Sequence, residues 1–107
     1  MELLLKEQAN DIVNVEIGGD FTFSESSKFR QMLKQLEVKK VSRVVVDLSK
    51  TDFIDSSALG MLLLLKETAD VMHAEVEISG AAGQVLQVLE LSRFQDLFII
   101  DGGTHHV

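Results

Sequence analysis

Apolar positions fall along this chain in three patterns, an alternation and a continuous run that predict strands and a helical stripe that predicts helices. Val13, Val15 and Ile17 alternate with Asn14 and Glu16, a period of two that predicts a half-buried strand over residues 12–17 with those three side chains facing a core. Residues 3–7 make a second short strand candidate. The Gln8-Ala9-Asn10-Asp11 segment between them has turn chemistry, so the two strands are expected to form a hairpin. Gly18-Gly19-Asp20 reads as the end of the second strand. Thr22 and Glu25 then stand at capping-box spacing ahead of Phe29, Met32, Leu33 and Leu36, an i, i+3, i+4, i+7 stripe that predicts an amphipathic helix.

The second half changes pattern. Val44-Val45-Val46 sits at the centre of an apolar run over residues 41–48, which suits a central strand covered by helices. A loop over residues 49–55 follows, then a helix over 56–72, a strand over 75–79, a helix over 82–91 and a last strand over 97–100. The order is ββαβαβαβ. Strands joined through helices need crossover connections and therefore lie parallel, so the expected fold is α/β: a mixed, mostly parallel sheet with about three helices packed mainly on one face. With 107 residues there is chain for one such core, taken as a single domain over 1–107, with 102–107 a flexible tail.

Charge narrows the partners. Seventeen acidic against ten basic residues give a formal net charge of −7, which repels a phosphate backbone, and Lys and Arg form no cluster interleaved with aromatics, so no nucleic-acid partner is expected. The chain has no Cys, which removes disulfides, thiolate metal sites and thiol nucleophiles. Its start lacks the basic and apolar regions of a signal peptide, and the apolar run after residue 58 breaks at Lys66. Direct membrane insertion is not expected, and the cytoplasm is the expected location.

Candidate chemistry concentrates where residues 47–60 pass from strand through polar loop into helix, at Asp55-Ser56-Ser57. A helix amino terminus presents unpaired N–H groups and partial positive charge, a setting in which a serine could carry a phosphate. The plainer role for an Asp-Ser pair there is a helix cap. At about 100° per residue, Met61, Leu65, Thr68 and Met72, flanked by Ala58 and Leu64, make the sheet-facing stripe of that helix. Lys66, Glu67, Asp70 and His73 mark the solvent side, which extends back through Leu63, Gly60 and Leu59 to Ser56, while Ser57 turns inward. Ser56 should therefore point outward beside a small apolar patch.

Catalysis finds little support. Asp47, Asp52 and Asp55 bracket one loop and could hold a metal or exchange protons, yet no His or Cys lies near them in sequence, and strand-end aspartates commonly cap. Gly80-Ala81-Ala82-Gly83 lacks the Lys of a P-loop and the spacing of a dinucleotide fingerprint, and reads as a turn with a helix start. His105 and His106 fall in the tail. Neither catalysis nor a cofactor or metal is expected.

Asp55-Ser56-Ser57-Ala58-Leu59-Gly60 after an apolar strand resembles the Asp-Ser-Ser/Thr-Gly-Leu-Gly signature of the STAS family, the sulfate transporter and anti-sigma factor antagonist domain, in its stand-alone bacterial form. Leu89-Glu90-Leu91-Ser92-Arg93-Phe94 through Phe98 looks like that family's third helix and closing strand, so the resemblance spans nearly the whole chain. It implies a regulator without catalysis whose Ser56 is phosphorylated by a serine kinase that doubles as an anti-sigma factor, with a phosphatase reversing the step. The unphosphorylated form would bind through Asp55, Ser56, Leu59, Gly60, Leu63 and Glu67. Two positions depart from the pattern: Ala58 replaces a usual Gly, and Thr22 stands where many antagonists have an Asp. The alternative carried by the same resemblance is a constitutive interaction subunit of a transport complex, without phosphoregulation.

Overall fold

The computed structural model describes residues 2–8 and 11–101. Strand β1 (Glu2–Gln8) pairs antiparallel with β2 (Ile12–Phe21), in register from Glu2 opposite Gly18 to Gln8 opposite Ile12. Strands β3 (Arg43–Asp47), β5 (Glu75–Ser79) and β6 (Ile99–Asp101) follow in parallel, giving the order β1-β2-β3-β5-β6. Helices α1 (Ser26–Glu37), α2 (Ser56–Val71) and α3 (Gly83–Leu91) supply the crossovers, with 3-10 turns at Phe23–Glu25 and Phe94–Asp96. The expected mixed, largely parallel sheet with three helices is the observed architecture.

Alternation decides which face the helices cover. Val13, Val15 and Ile17 of β2, Val44 and Val46 of β3, and Val76 and Ile78 of β5 are buried in one cluster with Phe29, Met32, Leu33 and Leu36 of α1 and Val85, Leu86 and Leu89 of α3. The intervening residues face the other way and include ion pairs between neighbouring strands. The Arg43 guanidinium, for instance, reaches Glu75 at 2.9 Å and Glu77 at 2.8 Å across β3 and β5.

Four local expectations are corrected. Gly18-Gly19-Asp20 does not end β2, which runs on to Phe21; its register shifts between Gly19 and Asp20, with Gly19 at φ 82°. The glycines let the strand bend away from β3, which it leaves after Glu16, and take up a new partner. That partner is β4 (Thr51–Ile54), lying within what the sequence suggests is loop and pairing parallel with β2 from Gly19 opposite Thr51. The capping box does not form: Thr22 makes no side-chain cap, its Oγ1 lies 3.2 Å from Ser24 Oγ, and a 3-10 turn intervenes before α1. The last strand begins at Ile99, because residues 94–96 coil into the second 3-10 turn. The expected tail over 102–107, with His105 and His106, and the turn residues Ala9 and Asn10 lie outside the described residues.

The turn after β5 requires glycine. Gly80 has φ +78°, and a Cβ there would stand 2.8 Å from Ser49 Cβ and 2.9 Å from Ser49 N. The strand-end segments after β3 and β5 thereby close to backbone contact, with Leu48 N–H donating to Ser79 O at 2.8 Å.

Candidate functional site at the amino terminus of helix α2

Asp55 connects β4 to α2 and is the residue around which the site is built. Its backbone is extended (φ −111°, ψ −177°), the usual shape of an N-cap, and its Oδ1 accepts from Ala58 N at 2.9 Å. The second oxygen, Oδ2, accepts from Phe23 N at 3.2 Å. One carboxylate thus starts the helix and ties the 3-10 turn ahead of α1 to it, with its negative charge at the positive end of the helix.

The approach to Asp55 is held from α3. The Gln84 side-chain amide donates through Nε2 to Ile54 O at 3.1 Å and accepts through Oε1 from Ile54 N at 3.1 Å. A side chain here replaces the neighbouring strand that the last residue of β4 lacks, satisfying both backbone groups of a buried residue.

Ser56 is the first residue of α2 and is exposed, while Ser57 is half-buried and Ala58 fully buried. Gly60, Leu63 and Glu67 fall within about 40° of Ser56 around the helix axis, and all three are exposed. Leu59, about 60° away, is half-buried and packs against the core. A Cβ on Gly60 would meet nothing within 4 Å, so the surface is open there. Asp55 is half-buried at the head of this stripe. The structure therefore brings all six sequence-selected residues to one side of α2 and its cap.

The opposite side of α2 is rotated from its expected position. Met61, Leu65 and Ala58 are buried as the projection requires, but Leu62 and Ala69 are also fully buried, whereas Leu64, Thr68 and Met72 are only half-buried. The helix packs against α1 as well as against β4 and β5. Packing against a second layer turns the buried arc toward Leu62 and Ala69 and away from Leu64, Thr68 and Met72.

Three features escaped the sequence reading. Phe23 is 69% exposed and is bound through its backbone to Asp55; Phe53 of β4 is 43% exposed; and Gln84 clamps Ile54. The signal for Phe23 was its spacing from Phe21: two aromatics at i, i+2 share one face of a strand, but the 3-10 turn sends Phe21 inward and Phe23 out. Nothing local marks Gln84, whose partner is thirty positions away. Of the loop carboxylates, Asp47 accepts from Ser49 N at 2.9 Å, a turn-forming bond, and Asp52 is exposed.

Comparison with known proteins places this arrangement. The family model described as "Mlab, STAS domain" matches residues 5–101, and the chain belongs to the STAS domain family. A STAS-domain containing protein of Pseudomonas aeruginosa (strain UCBPP-PA14) is 35% identical over 88 residues, which cover 82% of this chain and 86% of the relative. The fold is that of an anti-sigma factor antagonist from Mycobacterium paratuberculosis, at a TM-score of 0.84 and 14% identity over 98% of this chain and 88% of the other. It is shared with the phosphorylated form of the Bacillus cell fate determinant SpoIIAA, at a TM-score of 0.74 and 13% identity over 98% and 95% of the two chains. Among the described residues, no helix is long and apolar enough to cross a membrane.

Proposed function

We propose that this protein is a partner-switching regulator without catalysis of its own: unphosphorylated, it docks a serine-kinase or anti-sigma-type protein through the outward stripe of α2, and phosphorylation of Ser56 releases that partner. A cognate phosphatase resets the switch, and the output is transcription or a related bacterial response. The observation that carries this reading is the placement of Ser56, an exposed hydroxyl at the first position of α2, heading a stripe that continues through Gly60, Leu63 and Glu67. The fold shared with anti-sigma factor antagonists, one of them solved in a phosphorylated form, supports it.

The physical switch is a change of charge on a preformed surface. A phosphate adds about −1.5 to −2 charge and three acceptor oxygens. It would arrive beside the Asp55 carboxylate, which already occupies the Ala58 and Phe23 N–H groups, so helix-end donors that could neutralise a phosphate are partly used. Desolvating an ion of that charge against an apolar partner surface is costly, and the complex dissociates. The cytoplasm, where such a kinase works, is the location this function requires.

The test uses protein isolated from its own cells. Intact-mass and peptide analysis should find one phosphate, on Ser56, and a Ser56→Ala bait should retain a kinase-type partner that Ser56→Glu loses. Phosphate on Ser57, or equal capture by both baits, would refute the switch. Partner capture without any phosphate would favour the constitutive subunit of a transport complex, for which the exposed Leu63 surface would serve equally.

A further inference from the structure

The run β1-β2-β3-β5-β6 ends in an edge strand on either side, and the two are treated differently. β6 is three residues long and ends at Asp101, which blunts that edge. β1 is seven residues long, pairs with β2 without a bulge, and presents Leu3, Leu4 and Leu5 in succession. Along it runs an open groove of about 480 Å³ lined by those leucines and by Gln31, Met32 and Gln35 of α1. Leu4 is 48% exposed on the helix-free face, and Leu3 and Leu5 are half-buried toward the core.

The residues of β1 also choose a partner. If two copies of β1 pair antiparallel about a twofold axis, the faces of the two sheets stay aligned, so even positions must oppose even positions. Centring the axis on Leu4 sets Glu2 opposite Lys6 twice, Leu3 opposite Leu5 twice, and Leu4 opposite itself. A shift to Leu5 puts Lys6 opposite Leu4 and Glu7 opposite Leu3, and a further shift to Lys6 sets like charges face to face. The Leu4 register alone among these pairs opposite charges across the seam, the arrangement that stabilises cross-strand neighbours.

We propose that the chain self-associates through β1, two copies joining edge to edge about an axis at Leu4 into one continuous sheet. The helices of both copies lie on the same side, so the two grooves beside α1 meet across the seam and cover Leu3 and Leu5. The α2 stripe belongs to another part of each copy, and this pairing does not depend on the function proposed for it.

Sedimentation of the full chain from micromolar to millimolar concentration in low salt tests the proposal. The weight-average mass should rise from the 11.9 kDa of one chain toward twice that value. Glu2 faces Gly18 within its own chain, so Glu2→Lys leaves the fold intact while setting like charges opposite Lys6 at both ends of the seam. It should weaken association by about tenfold or more. The double variant Glu2→Lys with Lys6→Glu should recover it. Because Lys6 also lies 3.3 Å from Glu16, thermal melts check that the double variant is folded. Slowed amide hydrogen exchange confined to β1 at high concentration gives a readout needing no variant. A mass of one chain at every concentration, or a dimer indifferent to Glu2→Lys with exchange unchanged in β1, overturns the proposal.

Discussion

Gln84→Ala removes the side chain that completes the backbone pairing of Ile54. Two neutral hydrogen bonds of 3.1 Å are lost, each with a net contribution of about 0.5–1.5 kcal/mol, so the expected destabilisation is about 1–3 kcal/mol. Ile54 is 1% exposed, which limits how well water can replace the amide and favours the upper half of that range. For a chain of 107 residues, about 2 kcal/mol corresponds to a fall in Tm of about 8 °C. Thermal unfolding followed by circular dichroism measures it. Gln84→Glu sharpens the test: the carboxylate can still accept from Ile54 N–H but opposes Ile54 C=O, whereas the protonated acid can donate. The folded state then prefers the protonated form, raising that carboxyl's pKa, so the variant should regain stability relative to wild type as pH falls. If Gln84→Ala melted within about 2 °C of wild type, the clamp would be a contact without energetic consequence.

The same surface logic gives further expectations. Leu63→Asp should abolish partner binding while shifting stability by no more than about 0.5 kcal/mol, whereas Leu65→Asp, at a position with no exposure, should cost more than about 4 kcal/mol; matched melts and binding titrations separate the two. Gly80→Ala should cost about 2 kcal/mol or more in urea unfolding, since its φ of +78° strains an L residue and its Cβ would meet Ser49 at 2.8 Å. Lys39 hydrogen-bonds Glu7 and, with its charge, holds that carboxyl below the usual range. A depressed folded-state value contributes stability above the ordinary carboxylate range and loses it as pH falls through the lower value. The gap between wild type and Lys39→Ala should therefore be seen near neutral pH and vanish in acid, a small effect at an exposed pair.

The elements whose apolar period is strong could be read from the chain, because burial of one face demands that period. The alternation of Val13, Val15 and Ile17, the stripe from Phe29 to Leu36 and the Val44-Val45-Val46 run all became core, and Ser56 took the exposed start of its helix. Local chemistry also placed Asp55 as a cap, since Asp accepts a backbone N–H three residues on in any helix start. What the chain alone could not decide depends on partners distant in sequence. β4 exists because the glycine-bent end of β2 offers it an edge; four residues with two exposed in the middle carry no period of their own. The rotation of the buried arc on α2 toward Leu62 and Ala69 depends on α1 packing against it as well as the strands. The reach of Asp55 Oδ2 to Phe23 and of Gln84 to Ile54 spans some thirty positions, and only the packed sheet and helices bring those atoms within hydrogen-bonding distance.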